Sequence, residues 1–475
     1  MPGTGGRAWS DELAFAPALH LAELVRKGEV SPLELAQLYL ARIERLNPEL
    51  NAYVTVDDAA VLASASQQHE GPFAGVPISI KDLNQTAGLR TTYSTKAHAQ
   101  NIPDVDDAVV RRIRDAGFVV LGKTNTPELG TIGMTESELN GPCRNPWDTS
   151  RTPGGSSGGA AAATAAGLCP LAQGSDGGGS IRNPASCCGL VGIKPSRGRV
   201  SPAPWGSGSL GLGTNGPIAR TVRDAAALLD IMAGYEPGDF FAAPEPERPF
   251  VAEADVDAGR LRIAFTTRPP IEVPVDETCI EAVLQTAALL AELGHDVREA
   301  APPWDDPELV PHFIRVWQNG PATAGVDFEL LEPINRALAE DAVAISGPEL
   351  TGSVYRLQAA SREIVAFWDD LDVLVTPTLA LPPVPIGWTF EETDGDARLA
   401  FARQLLFTPF TPVFNVTGQP AMSLPLHRTP NGLPIGVQFV GKPFAEATLV
   451  RLAAQLEAAR PWADYRAPLA DRTTA

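Results

Sequence analysis

The chain begins with a helical pattern of apolar and polar residues. Ser31 is a suitable N-cap and Glu34 completes a capping box, so residues 31–47 are predicted to form a helix. Apolar residues then recur at helical spacing on one face, and Pro48 is expected just beyond the helix end. This pattern predicts an N-terminal helical arm, about residues 10–50, packed on the body of the protein.

Further along, short apolar runs alternate with helical patterns. The runs predicted to be strands cover residues 76–80, 118–121, 168–172, 261–265 and 371–375. The helical patterns cover residues 106–115, 160–166, 221–233 and 277–293, with Thr221 and Asp224 in capping positions. Such alternation favours an α/β fold in which helices cover both faces of a sheet. Proline-rich pieces at 243–249 and 377–386 are expected to be surface connections, so one domain over residues 1–475 is predicted.

Composition and charge exclude several classes of protein. The 475 residues are 44% hydrophobic and 20% charged, which allows a sizeable core and argues against disorder. There are 37 basic and 57 acidic residues and no basic run, so neither nucleic acid nor an anionic membrane is expected as a partner. No apolar stretch is long enough to span a membrane, and residues 1–11 lack the apolar segment of a secretory signal. A cytoplasmic location is therefore expected.

Five cysteines, an odd number without C-x-x-C spacing, indicate neither a disulfide scaffold nor a zinc site.

A glycine- and serine-rich block, residues 153–195, carries the candidate chemistry. Its glycine clusters at 154–159 and 177–179 bracket a predicted helix and a predicted strand. Glycines let a ligand approach the main chain and leave N–H groups free to point inward. An oxyanion hole needs such donors, aimed at the oxygen that becomes negative during acyl transfer. Ser180 would present its hydroxyl beside them, and flexible turns are the alternative interpretation.

Lys81 supplies the second element of this chemistry. It follows the apolar strand 76–80, which is poor enough in polar residues to lie inside the sheet. Burial disfavours the charged form of an amine, so a neutral base could exist near neutral pH. A serine hydroxyl needs such a base to become nucleophilic. The alternative is a lysine whose side chain extends to water.

Two other kinds of site are not favoured by the sequence. None of the six histidines falls within the glycine–serine block, so a Ser-His-Asp triad has no support from the sequence, although one could assemble in space. The segment GFVVLGKT, residues 117–124, matches the P-loop pattern literally. Its middle residues are predicted to form an apolar strand, whereas a P-loop needs a flexible loop there. Nucleotide binding is therefore not expected.

Several segments together resemble the amidase-signature hydrolases, from about residue 10 to 460. They are GVPISIKD, LGKTNTPELG, PGGSSGG, GSDGGGSIRNPA, GPIARTVRDAAALLDIMAG and NVTGQPAMSLPL. Twenty-three residues separate Ser156 from Ser180, as in the family pattern. The resemblance implies a large mixed β-sheet flanked by helices, with a signature core at about residues 75–235.

The resemblance also implies a Ser–cis-Ser–Lys triad without metal or cofactor. Ser180 would attack the carbonyl, Ser156 would relay the proton, and Lys81 would accept it and return it to the leaving amine. The implied oxyanion hole consists of the N–H groups of Gly177, Gly178, Gly179 and Ser180. The expected supporting residues are Ser157, Asp176 and Arg182, and those expected near the substrate are Gly130 and Thr131. Gly177 departs from the family pattern, where bulkier residues also occur, and is expected to affect loop stiffness more than chemistry.

The predicted function is hydrolysis of the C–N bond of small carboxamides through a serine acyl-enzyme. The variable loops are expected within 303–330 and 378–415, which hold ten aromatic residues. Most of these aromatics are expected in the core, but a few lining the pocket would favour apolar aliphatic or aryl amides, with carbamates or nylon-type oligoamides as extensions. The sequence leaves open whether the protein forms a homodimer. The alternatives are an A-type subunit of a glutamine amidotransferase acting with partner chains, and a non-catalytic binding protein on the same fold.

Overall fold

A single mixed sheet organises the computed structural model, which describes residues 12–206 and 208–471. Its eleven strands are β1 (Tyr53–Val56), β2 (Pro77–Lys81), β3 (Val119–Thr124), β4 (Leu171–Asp176), β5 (Val191–Lys194), β6 (Thr214–Ala219), β7 (Arg262–Phe265), β8 (Asp296–Glu299), β9 (Val373–Pro377), β10 (Ala421–Arg428) and β11 (Pro434–Gly441). Their order is β1-β3-β2-β4-β6-β5-β10-β11-β9-β7-β8. Strand β2 runs parallel to β3 and β4, whereas β4 and β6 are antiparallel.

The helices occur along the whole described chain. They are α1 (Ala18–Arg26), α2 (Pro32–Leu50), α3 (Asp58–Ala65), α4 (Ala108–Asp115), α5 (Gly158–Ala165), α6 (Arg182–Cys188), α7 (Val222–Met232), α8 (Phe250–Glu253), α9 (Glu277–Glu292), α10 (Leu309–Trp317), α11 (Asn319–Ala322), α12 (Pro333–Val343), α13 (Gly347–Ala366), α14 (Ala397–Arg403), α15 (Val413–Val416) and α16 (Glu446–Ala459). Within the described residues, no helix is long and apolar enough to cross a bilayer.

Helices cover both faces of the sheet. Every residue of β2, β5, β9 and β11 is buried. Because consecutive side chains of a strand point to opposite faces, complete burial requires cover on both sides. The predicted single-domain α/β fold with a large mixed sheet is therefore confirmed. All five cysteines are free and buried.

The N-terminal arm is helical, as predicted, but its second helix is longer than expected. Ser31 and Glu34 form the capping box: the Glu34 N–H donates to Ser31 Oγ at 3.2 Å, and the Ser31 N–H donates to Glu34 Oε2 at 2.8 Å. Helix α2 continues through Pro48 to Leu50. The carbonyl that loses its donor at Pro48 belongs to the exposed Glu44, where water can replace it, and the buried Leu50 anchors the last turn. Residues 10 and 11 of the predicted arm lie outside the described chain.

Asp224 fixes the arm to the body. Thr221, not Asp224, caps α7, since the Asp224 N–H donates to Thr221 Oγ1 at 3.1 Å. The Asp224 carboxylate instead accepts hydrogen bonds from the N–H groups of Ala18 and Leu19, at 2.8 and 3.1 Å. It therefore caps the first turn of α1, where its negative charge also complements the helix dipole.

Strands β2 and β4 position the candidate site. They run parallel, so Lys81 and Asp176, the last residues of each, lie at the same edge of the sheet. The predicted strand 168–172 is displaced toward the N-terminus relative to β4, because β4 carries polar residues that the sequence pattern assigns to a loop. Gln173 is one of these: it is buried, and its side chain accepts a hydrogen bond from the Lys81 N–H at 3.0 Å.

One predicted surface connection, residues 377–386, is wrong over most of its length. Thr378, Leu379 and Ala380 are buried. The Ala380 N–H donates to the Phe407 carbonyl at 3.0 Å, and the Ala380 carbonyl accepts from the Asp276 N–H at 2.8 Å. These tertiary hydrogen bonds satisfy the backbone inside the protein, which a pattern of prolines does not reveal.

Candidate active site

Lys81 ends β2 with its side chain fully buried. Its Nζ donates to Ser156 Oγ at 2.8 Å and to Ser175 Oγ at 3.1 Å. Desolvation lowers the pKa of Lys81 to about 7, although the negative charge of Asp176 acts in the opposite direction. An amine with this pKa is partly uncharged near neutral pH, which suits a proton acceptor.

The Ser156 segment is joined directly to the Ser180 segment. The Gly155–Ser156 peptide bond is cis. The next residue, Ser157, donates its N–H to the Ser180 carbonyl at 3.1 Å and its hydroxyl to the Ser175 carbonyl at 3.1 Å. Ser157 therefore holds together the two glycine-rich loops that carry the serines.

The loop before Ser180 wraps around a buried carboxylate. Asp176 accepts hydrogen bonds from the N–H groups of Gly179, at 2.8 Å, and Ile181, at 3.1 Å. Gly179 has a φ of +126°, which favours glycine. The Gly179 N–H is therefore occupied by Asp176, whereas the sequence predicted it to be free as an oxyanion-hole donor. Within the described chain, the N–H groups of Gly177, Gly178 and Ser180 donate to no protein acceptor.

Arg182 pairs with Asp176 in the interior. Arg182 Nε and a terminal nitrogen each donate to one carboxylate oxygen at 2.9 Å, and both side chains are fully buried. Although burial raises the pKa of Asp176, the charge and hydrogen bonds of Arg182, helped by Lys194 and Asn415, bring it below its usual range. Asp176 is therefore a fixed negative charge beneath the loop.

Ser180 opens onto a small cavity with an apolar wall. Ser180 is 7% exposed and lines this cavity together with Gly178 and Thr131. The apolar wall consists of Ile132, Phe313, Ile314, Trp317, Phe401 and Leu405. Five of these residues come from the two segments predicted to hold variable loops, and Ile132 follows the predicted Thr131 directly in the sequence. None of the six histidines lines it.

Gly177 makes room for an aromatic side chain of this wall. A Cβ atom at Gly177 would lie 2.8 Å from Trp317 Cζ3. The indole N–H of Trp317 donates to the Thr131 carbonyl at 3.2 Å, which holds the ring over the loop. Because Gly177 has no side chain, the Trp317 ring can lie against the loop and form part of the cavity wall. This effect is additional to the expected effect on loop stiffness.

Gly130 packs against the candidate relay. It has a φ of +69°, and a Cβ atom there would lie 3.2 Å from Ser156 Oγ and 2.5 Å from Leu83 Cδ1. The prediction that Gly130 and Thr131 lie near the site agrees with these positions.

Most aromatic residues of the two predicted variable segments do not line the cavity. Phe313, Trp317 and Phe401 line it, whereas a second group is buried in the core: Trp304, Phe407, Phe410 and Phe414.

Sequence reasoning missed several residues that support this site. Ser175 contacts Lys81, while Thr411, Asn415 and Gln438 bind Arg182. Ser175 could have been found, because it lies two residues beyond Gln173 along β4, so both side chains point to the same face of the sheet. The other three lie more than 220 residues away from Arg182, and no local pattern connects them.

The residues that match the P-loop pattern form a strand instead. Strand β3 includes Gly122, Lys123 and Thr124. Lys123 is buried, and its Nζ donates to the Asn84 carbonyl and to Thr86 Oγ1. This lysine is occupied by protein acceptors, and the segment forms a strand rather than the flexible loop of a P-loop.

The chain belongs to the amidase family, whose model matches residues 34–450. This match and the relatives below show that the protein is an amide-hydrolysing enzyme.

Individual relatives agree over nearly their full lengths. The 6-aminohexanoate-cyclic-dimer hydrolase of Paenarthrobacter ureafaciens is 40% identical over 486 residues, covering 97% of each chain. The acylamidase of Rhodococcus erythropolis is 38% identical over 471 residues, covering 96% of this chain and 97% of the relative. A structure of 6-aminohexanoate cyclic dimer hydrolase complexed with substrate superposes with a TM-score of 0.92 at 37% identity, covering 96% of this chain and all of the other.

Proposed function

We propose that the protein hydrolyses carboxamides through a serine acyl-enzyme, with Ser180 as nucleophile, Ser156 as proton relay and Lys81 as base. The observation that carries this proposal is the 2.8 Å contact between Lys81 Nζ and Ser156 Oγ, inside the protein, at an amine whose pKa is lowered to about 7. A weak nucleophile such as a serine hydroxyl needs an adjacent acceptor of this kind.

The proposed reaction has two stages. Ser180 Oγ forms a bond to the amide carbonyl carbon while its proton passes through Ser156 to uncharged Lys81. The C–N bond then breaks, and the proton returns through Ser156 to the leaving nitrogen, which departs as an amine. In the second stage water adds to the acyl carbon with the same proton transfers, the ester C–O bond breaks, and a carboxylic acid and free Ser180 remain.

The loop next to Ser180 provides the proposed oxyanion hole. The N–H groups of Gly177, Gly178 and Ser180 have no acceptor within the described chain, so they are available to the negative oxygen of the tetrahedral state. Gly179 takes a different role in this proposal, since its N–H orients the loop by binding Asp176.

The cavity favours apolar substrates. Phe313, Trp317 and Phe401 line it beside Ser180, so aliphatic or aryl amides are proposed as the main substrates. The names of two relatives, an acylamidase and a 6-aminohexanoate-cyclic-dimer hydrolase, support acyl amides and nylon-type oligoamides within this class. Carbamates present the same carbonyl to the same serine and are proposed as an extension.

Covalent labelling tests the nucleophile. A fluorophosphonate should add one adduct to the chain by intact mass, and peptide mapping should place it on Ser180. The adduct should be lost in Ser180→Ala and retained in Ser66→Ala, a change at an exposed serine. An adduct that persists in Ser180→Ala would contradict the assignment.

Turnover by the isolated chain tests the activity. The purified protein alone should release p-nitroaniline from apolar acyl nitroanilides. Amide hydrolysis that appears only after partner chains are added would favour the amidotransferase alternative. No turnover of any apolar amide or urethane would overturn the substrate assignment.

A further inference from the structure

A second cavity adjoins the Ser180 cavity. Ile132 lines both, so the two cavities share a wall residue. The second cavity has a volume of about 310 Å³, within the range of small-molecule sites. Four of its lining residues are acidic: Glu128, Glu136, Glu138 and Glu332. The others are mostly apolar, including Pro127, Pro142, Pro333, Ile334 and Phe390.

Two buried oxygen atoms of this cavity lack a hydrogen-bond donor. Glu128 is 2% exposed; its Oε2 accepts hydrogen bonds from the Glu332 N–H and from Asn335 Nδ2, both at 2.8 Å. Its other oxygen, Oε1, has no partner among the residues described, and neither does Oδ1 of Asn335, which is 3% exposed. Buried acceptors are normally satisfied, so both atoms indicate a donor that the chain itself does not supply.

The carboxylates are only partly compensated by positive charge. Lys96 contacts Glu138 at 2.5 Å from a half-exposed position. The positive charge of Arg144 acts to lower the pKa of Glu136. Burial, followed by repulsion from Glu128 and Glu138, raises the pKa of Glu332 to about 8, and burial raises the pKa of Glu136. A cation placed among these groups would favour the charged carboxylates and so lower the raised pKa values of Glu332 and Glu136.

We propose that this second cavity binds the alkylammonium group at the far end of an aliphatic amide substrate, while the amide itself occupies the Ser180 cavity. The inference deepens the proposed function and rests on it. An ammonium group supplies N–H donors to the unsatisfied oxygens and positive charge to the carboxylates, and the apolar walls accept its methylene chain. A metal ion fits less well, because no group of three or more acidic, histidine or cysteine residues in the described chain is arranged to hold one.

Matched substrates test the inference. One pair, 6-aminohexanoyl and hexanoyl p-nitroanilide, places the ammonium on the acyl side of the scissile bond. The other pair, N-(6-aminohexyl)benzamide and N-hexylbenzamide, places it on the amine side. We expect the ammonium substrate of at least one pair to show a kcat/KM about tenfold higher or more, as for hydrogen bonds to a charged group.

Variants assign that preference to the cavity. Glu332→Gln and Glu136→Gln keep the shape of the side chain but cannot take up the negative charge that a bound ammonium favours, and each should lower the ratio of the two kcat/KM values toward one. Glu70→Gln removes the same charge from an exposed position outside the cavity and should keep the ratio. Equal kcat/KM values within both pairs, or a ratio unchanged in both cavity variants, would overturn the inference.

A binding measurement separates this inference from the proposed chemistry. By calorimetry, the Ser180→Ala protein should bind 6-aminohexanamide at least about tenfold more tightly than hexanamide. Equal affinities, together with hydrolysis of the neutral anilide by the unmodified protein, would overturn the ammonium site and leave amide hydrolysis standing. Preferential binding without hydrolysis of any substrate would support the ammonium site and overturn the serine mechanism.

Discussion

Removing the Arg182 charge should destabilise the protein and its candidate oxyanion loop together. Arg182→Met keeps most of the side-chain volume but leaves the carboxylate of Asp176 buried without its main countercharge. Arg182 also donates to the Thr411 carbonyl at 2.9 Å and to Gln438 Oε1 and Asn415 Oδ1 at 2.7 Å. The substitution therefore also removes the donors of three buried acceptors.

The size of the effect follows from this burial. Breaking a buried ion pair by removing one partner costs about 3–5 kcal/mol, because the other charge stays desolvated. A chain of 475 residues has an unfolding entropy of about 1 kcal/mol/K, so the expected fall in Tm is roughly 3–5 °C. Differential scanning calorimetry measures this shift directly.

Two variants sharpen the test. Arg223→Met breaks an exposed pair with Asp255 and should lower Tm by less than about 1 °C. Adding Asp176→Asn to Arg182→Met removes both charges, so the double variant should lose less stability than the sum of the single losses. A shift below 1 °C for Arg182→Met, or additive losses in the double variant, would refute the role given to this pair.

Other predictions concern the residues around the two serines. Gly177→Ala places a Cβ atom 2.8 Å from Trp317 and should lower kcat/KM for apolar anilides by about tenfold. Gly178→Ala places its Cβ atom 3.7 Å from Phe313, an ordinary contact distance, and should change kcat/KM less than about threefold. Equal effects of the two variants would contradict the packing described. Ser175→Ala removes an acceptor 3.1 Å from Lys81 Nζ, which disfavours the charged amine, and should move the acidic limb of the kcat/KM profile down by about one pH unit. A limb that stays in place or moves upward would show that Ser175 does not stabilise the ammonium form.

Local sequence patterns predicted the elements whose signals are contained within a few residues. Helix α2 follows from Ser31, Glu34 and its apolar stripe, and the buried position of Lys81 follows from the apolar strand before it. The glycines of each cluster are likewise close in sequence to the serine beside them, Ser156 or Ser180. In each case the residues that set the local structure are sequence neighbours.

The remaining features depend on contacts between distant segments. The polar residues of β4 are acceptable inside the protein only because partners such as Asn84 and Asn215 satisfy Gln173. The occupation of the Gly179 N–H depends on how the loop folds around Asp176, which a glycine count does not reveal. The acidic cavity brings Glu128 together with Glu332, and neither residue shows this in its own neighbourhood of the sequence.

The most direct test of the central claim is the pH dependence of the rate at which a fluorophosphonate phosphonylates Ser180 with loss of fluoride, followed by intact mass from pH 5 to 9. The amine accepts a proton only when uncharged, so the rate should rise with pH and reach half of its maximum near pH 7, where burial places the pKa of Lys81. With the ordinary value of 10.5, only roughly 1 in 3,000 molecules would carry an uncharged Lys81 at pH 7. The rise should be absent in Lys81→Met that retains the Tm of the unmodified protein. A rate that is flat across this range, or a rise that persists in Lys81→Met, would contradict the claim that buried, uncharged Lys81 activates Ser180 through Ser156.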